Sequence, residues 1–301
     1  MTSLDFGPLV LGGNTFGWTS SRDESFAVLD AFVEAGGRSV DTAEGYSAWV
    51  PGNVGGESET IIGEWMASRG NRDAIVVATK VWGRSDPEGL SPLHVRAAID
   101  ASLTRLQTDH LDLYYAHRDD ASIPLEDTVA LFDELVRAGK VREFGVSNWS
   151  ADRISTARQI AVDAGLTPIT VAQDHYNLVE RGLETALVPT LLDLDIVELP
   201  YYGLAAGFLT GKYRPGASVE SARAGGGEKL LEVPRNVELL GVLDEIAAAR
   251  GVSVAAVALA WQRQQRAVGA PIASARTVEQ VPALVESFGL ELTADELARL
   301  A

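Results

Sequence analysis

Asp41, Tyr46, Lys80 and His117 offer a carboxylate, a phenol, an ammonium and an imidazole. Each lies at or just past the C-terminal end of a segment that reads as a buried parallel strand. In a β/α barrel such strand ends converge on one mouth, where active sites are built. The set suits carbonyl reduction, in which a hydride attacks carbon while the oxygen takes a proton. A tyrosine, with an ordinary pKa of about 10, gives that proton more readily when an ammonium stabilises its phenolate. Lys80 could be that ammonium, Asp41 would keep it charged and oriented, and His117 could hydrogen-bond the carbonyl oxygen. Singly, each has a plainer reading: Asp41 as a turn cap, Tyr46 as a rim aromatic, His117 as a satisfied core histidine. Lys80, closing an apolar strand, needs a partner or a route to water in any case.

The elements that must position these groups are legible along the chain. Strand-like segments fall at 9–12, 39–42, 75–80, 111–117, 144–148, 170–173, 196–201 and 270–274. Several, such as Ile75-Val76-Val77-Ala78, are continuously apolar, as parallel strands covered on both faces are. Between them, Phe26, Leu29 and Val33 mark a helix stopped by Gly36-Gly37. Ser91-Pro92 opens a helix ahead of Val95, Ile99, Leu103 and Leu106. Leu125, Val129, Phe132 and Val136 form the next stripe, ended by Gly139. Ser150 caps a helix running to Gly165, Asn236 and Ser253 are caps for two more, and Thr277 and Thr293 open closing helices. This alternation predicts an α/β protein, a (β/α)8 TIM barrel forming one domain over residues 1–301. An open doubly wound sheet is the close alternative, but Gly12-Gly13 followed by Gly17 does not fit its glycine fingerprint. The stretch 213–235, with Pro215, Gly216, Gly225-Gly226-Gly227 and Pro234, breaks the rhythm. It reads as a long loop, a functional lid or a disordered segment, on the side where barrels often bind phosphate.

Composition removes several function classes. A formal net charge of −17 with a pI near 4.6 repels nucleic acid and anionic membranes, so neither is expected as a partner. An anionic cofactor would have to meet local cations. The absence of cysteine excludes disulfides, thiolate catalysis and cysteine-ligated metal centres, and no metal site is expected. No apolar run is long enough for a bilayer, and residues 1–10 lack a signal pattern. The expectation is a cytoplasmic protein, a monomer or small homo-oligomer.

A series of short motifs then becomes familiar. It begins with Asp41-Thr42-Ala43-x-x-Tyr46, Gly56-Glu57-Ser58-Glu59, Ala78-Thr79-Lys80 and Leu111 to His117. It continues through Gly139-Lys140-Val141-Arg142, Gly145-Val146-Ser147-Asn148, Gln173, Tyr176-Asn177-Leu178 and Leu209-Thr210-Gly211-Lys212. Together and in order, these resemble the aldo-keto reductases nearly end to end. The resemblance implies a barrel that binds NADPH (NADH being less favoured) without a Rossmann fold, and that reversibly reduces an aldehyde or ketone to the alcohol. It implies Tyr46 as proton donor, Lys80 and Asp41 as the groups that tune it, and His117 as the group that orients the carbonyl. Ser147, Asn148 and Gln173 match positions that hold the nicotinamide carboxamide, both ends of which such groups can satisfy. Tyr201 matches the aromatic stacked on the nicotinamide, a place compatible with simply filling the barrel mouth. Leu204, Gly207, Gly211 and Lys212 match the loop for the phosphates, where glycine permits close backbone approach. Ser274 and Arg276 precede the helix near Thr277 and suit the 2′-phosphate, with Gln280 on the adenosine. Departures from the family are Tyr202-Gly203 where Ser-Pro is common, Ala273-Ser274 where Pro-Gly is common, and Leu284 in place of an asparagine.

Trp18, Trp49, Trp82 and Trp149 lie where loops should wall a substrate pocket, suited to an apolar, aromatic or sugar ring, or serve as anchors under the rim. No arginine or lysine cluster marks the 18–82 region, which disfavours a highly charged anionic substrate. Two rivals stand beside the reductase. One is an NADP-binding regulatory or partner subunit of the same fold with weak turnover. The other is a barrel isomerase or lyase using Lys80 as a Schiff base, against which Asp41 weighs because it would keep Lys80 protonated.

Overall fold

The computed structural model describes residues 2–82, 88–217, 219 and 224–301. Apolar runs rich in β-branched residues form the parallel strands β1 (Val10–Gly12), β2 (Ser39–Asp41), β3 (Val76–Val81), β4 (Leu111–Ala116), β5 (Val141–Ser147), β6 (Val171–Gln173), β7 (Val197–Glu198) and β8 (Ile272–Ala273). They pair in the order β7-β6-β5-β4-β3-β2-β1-β8. Backbone bonds close the seam: Glu198 N–H donates to Ala267 O at 2.8 Å, Gly269 N–H to Glu198 O at 2.9 Å and Ile272 N–H to Pro200 O at 2.8 Å. The protein is the (β/α)8 barrel that the alternation of elements predicts, and every expected strand overlaps an observed one.

Side chains alternate across the wall of the barrel. Val10, Leu113, Tyr115, Val171 and Ile272 share one interior cluster, while Leu11, Tyr114, Val146 and Ala172 belong to the larger core with the helices. The Tyr115 ring fits because Gly145 faces it: a Cβ at Gly145 would lie 2.7 Å from that ring. Outside the wall run α1 (Arg22–Glu34), α2 (Glu57–Arg69), α3 (Pro92–Leu106), α4 (Leu125–Arg137), α5 (Ala151–Ala164), α6 (Leu187–Asp193), α7 (Ala224–Lys229), α8 (Pro234–Arg250), α9 (Val254–Arg263), α10 (Val281–Val285) and α11 (Ala294–Arg299). Ser91, Ser150, Ser253 and Thr293 each cap a helix by accepting from a backbone N–H three residues on. None of the helices among the described residues is long and apolar enough to cross a membrane.

Two expectations are corrected. Asn236 is not a cap. Helix α8 starts earlier, with Pro234 at its first position, and the Asn236 amide donates back to Leu230 O at 3.0 Å. Nor is 213–235 one long loop. Helix α7 takes in Gly225-Gly226-Gly227, a 3-10 turn follows at Leu230–Glu232, and residues 218 and 220–223 lie outside the described residues. The glycines are helical because packing overrides their weak propensity. A Cβ at Gly227 would fall 2.3 Å from the ring of buried Tyr213, so bare backbone lets α7 seat on it.

Candidate active site

The strand ends gather the expected chemistry. Asp41 closes β2, Lys80 is the penultimate residue of β3, and His117 directly follows β4. The loop after β2 is held beside β3 by Thr42 N–H on Ala78 O at 2.8 Å and Glu44 N–H on Lys80 O at 3.2 Å. Tyr46 is thereby carried over Lys80. The Lys80 ammonium has no solvent exposure and donates to Asp41 Oδ1 at 2.5 Å, Thr42 O at 2.7 Å and the Tyr46 hydroxyl at 3.0 Å. All three of its protons are placed. Gln173, at the end of β6, donates to the other carboxylate oxygen of Asp41 at 2.9 Å.

The electrostatics follow from this packing. Burial alone would pull Lys80 down, but Asp41 and Tyr46 offset it and leave the ammonium above its ordinary value. Burial pushes the Tyr46 phenol up, against the pull of Lys80, so it is a protonated donor at neutral pH. The His117 ring lies 6.3 Å from that of Tyr46, centroid to centroid. Burial, then the charges of Lys80 and Arg118, depress His117 to about 3, which leaves a neutral imidazole whose buried Nδ1 has no partner among the described residues.

On the far side of the mouth, Ser147 ends β5 and Asn148 follows it in the left-handed region, φ +59°. The Asn148 amide is already engaged: it donates to Ser147 Oγ at 2.9 Å and His117 O at 3.2 Å, and accepts from the Tyr201 hydroxyl at 2.8 Å. Tyr201 stacks on His175, with centroids 5.5 Å apart and planes 15° apart. Ser147, Asn148, Gln173 and Tyr201 therefore form one polar and aromatic ledge facing the Lys80 cluster.

The chain after β7 turns through left-handed Tyr202 and then, past Leu204, through left-handed Ala205, Ala206, Gly207 and Gly211. The Lys212 side chain lies against Gly207, where a Cβ would stand 2.9 Å from its Nζ. After β8, Ser274 Oγ donates to Asn14 Oδ1 at 2.8 Å, and Gln280 Oε1 accepts the Arg276 N–H at 2.9 Å. Gln280 thus braces the turn that carries Arg276. Among the described residues the Arg276 guanidinium has neither a hydrogen bond nor an ion pair.

The tryptophans separate. Trp18 and Trp49 meet edge to face at 5.5 Å, and Trp49, 52% exposed, sits 6.3 Å from the Tyr46 ring. Trp82 is held at φ +76°, its N–H donating to Glu44 Oε1 at 2.5 Å. Trp149, only 4% exposed, packs in the core with the helices, as an anchor under the rim would. Residue type shows that a tryptophan will be buried somewhere, not which way it faces.

Sequence reasoning passed over Thr42, whose contribution is a backbone carbonyl and so leaves no trace in residue type. It also passed over Asp174 and Glu198. Glu198 had a signal, a carboxylate inside the apolar run Ile196-Val197-Glu198-Leu199.

Comparison with known proteins agrees with this geometry. A profile described as the Aldo/keto reductase family matches residues 8–301. The chain is 35% identical to norsolorinic acid reductase B of Aspergillus parasiticus, over 98% of this chain and 80% of that protein. It is 32% identical to protein tas of Escherichia coli, covering 99% and 94%. It is likewise 32% identical to the aldo-keto reductase YhdN of Bacillus subtilis, covering 97% and 87%. With a match of that length, and a barrel mouth built as described, the chain belongs to the aldo/keto reductase family of oxidoreductases, which draw on a nicotinamide cofactor.

Proposed function

We propose that this protein is an NADPH-dependent reductase of aldehydes or ketones, working reversibly on a neutral carbonyl compound. The observation that carries this reading is the buried Lys80 ammonium held between Asp41 at 2.5 Å and the Tyr46 hydroxyl at 3.0 Å. In this reading Tyr46 Oη gives its proton to the carbonyl oxygen. The Lys80 charge stabilises the phenolate left behind, and Asp41 keeps Lys80 ionised where burial would otherwise neutralise it. Neutral His117 donates an N–H to the same oxygen and sets the angle of the carbonyl. The nicotinamide, when bound, supplies the hydride. Ser147, Asn148 and Gln173 would hold its carboxamide, with the present partners of Asn148 exchanged for it. Tyr201 would cover the ring.

The residues fit the rest of the cofactor. Arg276, beside Ser274 and without an ion pair among the described residues, suits a 2′-phosphate, since its planar fork grips phosphate, and this supports NADPH over NADH. Lys212 across Gly207, in a turn of left-handed residues, suits the pyrophosphate. The exposed Trp49 and the Trp18 edge support an apolar or aromatic group on the substrate. The test is NADPH oxidation with a reactive aromatic aldehyde, with NADH in parallel. Turnover with a higher kcat/KM for NADPH is expected. Equal use of NADH would remove the cofactor assignment, and no turnover across neutral aldehydes and ketones would remove the reaction.

A further inference from the structure

The mechanism leaves unused two deeply buried acids near the mouth. Glu198 has no solvent exposure and Asp174 is 5% exposed. Glu198 Oε1 accepts the Asp174 N–H at 2.7 Å. Asp174 Oδ1 accepts the Asn148 N–H at 2.9 Å, and Asp174 O accepts the Tyr201 N–H at 3.0 Å. Asp174 thus holds two of the four ledge residues: Asn148 through its side chain and Tyr201 through its backbone. The first of these bonds fixes a left-handed turn that a non-glycine residue adopts at a cost. Asp174 Oδ2 and Glu198 Oε2 are buried and have no partner among the described residues. Two acids so placed cannot both ionise readily.

We propose that Asp174, backed by Glu198, is a positioning residue for the nicotinamide end of the cofactor site, and that ionisation of this pair sets the balance between oxidised and reduced nucleotide. The role rests on the reductase reading above. Burial pushes Asp174 up to about 7, and burial with the charge of Asp174 pushes Glu198 well above the usual carboxylate range. Tyr115 from β4 and Tyr201 from beyond β7 face the pair. Tyr115 is pushed well up by burial, then by Asp41 and these acids; Tyr201 is pushed to about 12 by burial, then by Asp174, with Arg118 opposing. Both phenols stay neutral while the pair titrates. As pH rises through neutrality, a negative charge forms beneath the ledge. That charge strengthens the grip on the Asn148 N–H and favours the cationic oxidised nicotinamide over the neutral reduced one.

The experiment measures dissociation constants of NADP+ and NADPH for native protein, Asp174→Asn and Asp174→Ala, at about pH 6 and about pH 8. The ratio of the two constants cancels titration of groups common to both nucleotides. For native protein, NADP+ should gain on NADPH by severalfold at the higher pH. Asp174→Asn keeps an acceptor for Asn148, so it should bind near native strength with a ratio that no longer moves with pH. Asp174→Ala should weaken both nucleotides about tenfold, as expected for one lost charge-assisted bond, with the loss falling mainly on KM for cofactor rather than on kcat. If Asp174→Ala fails to fold, the flat ratio of Asp174→Asn still decides. Native binding with both variants behaving as native would remove this role alone. A native protein that binds neither nucleotide would remove the reductase reading together with it.

Discussion

At the scale of single residues, the buried pair of Lys80 and Asp41 is the feature with the sharpest energetic consequence. Neither charge reaches water, so each depends on the other. Lys80→Met should abolish most turnover and also lower stability by about 3–5 kcal/mol, because it strands an uncompensated carboxylate. Urea unfolding checks the second effect, and a loss under about 1 kcal/mol would mean that Asp41 is solvated or otherwise neutralised. These residues were legible before the fold was known because a lysine and an aspartate at the ends of apolar strands have few ways to be satisfied. Residues that work through their backbone were not legible, Thr42 above all. Asn148 was identified by type, but its left-handed φ and its dependence on Asp174 appear only once β5, β6 and β7 stand side by side.

At the scale of elements, glycines separate packing from propensity. In α2, a Cβ at Gly63 would lie 2.2 Å from Arg105 O, backbone that cannot swing aside. Gly63→Ala should therefore cost about 1–3 kcal/mol or more by forcing α2 off α3. In α8, a Cβ at Gly241 would meet nothing within 4 Å, so Gly241→Ala should add about 0.5–1 kcal/mol through helix propensity. Paired thermal melts test both, and equal shifts would show that helix contact is not what decides. The same contrast explains what sequence could disclose. Strand positions were legible because burial on both faces leaves continuous apolar runs. The helical state of Gly225-Gly226-Gly227 was hidden because it depends on Tyr213, distant enough in sequence that no local pattern carries it. The start of α8 was misplaced because Pro234 opens the helix without a polar cap.

At the scale of the whole molecule, eight short strands bring together acids, amides and cations drawn from most of the chain. That gathering shapes how stability depends on pH. Asp174, raised to about 7, is a carboxyl that the folded state keeps protonated. Its contribution is full below the unfolded pKa of about 3.9 and is lost as pH rises through neutrality. His117, depressed to about 3, acts oppositely: its contribution is present above about 6.5 and is lost as pH falls toward 3. Asp174→Asn should therefore gain stability relative to native protein between about pH 5 and pH 8, by roughly 1.4 kcal/mol for each unit of the shift it removes. A difference that stays constant across that range would show that Asp174 is not raised. The barrel itself, its last two strands included, was legible from alternation alone, whereas the backbone bonds that close its seam beside β7 and β8 appear only in the structure. The chemistry of the whole assembly comes down to one proton. NADPH oxidation with an aromatic aldehyde by native protein and by Tyr46→Phe, alongside NADPH binding to each, tests it most directly. Tyr46→Phe should bind NADPH as native protein does and turn over about 10²–10⁴ times more slowly; turnover at the native rate would contradict the assignment of Tyr46 as proton donor.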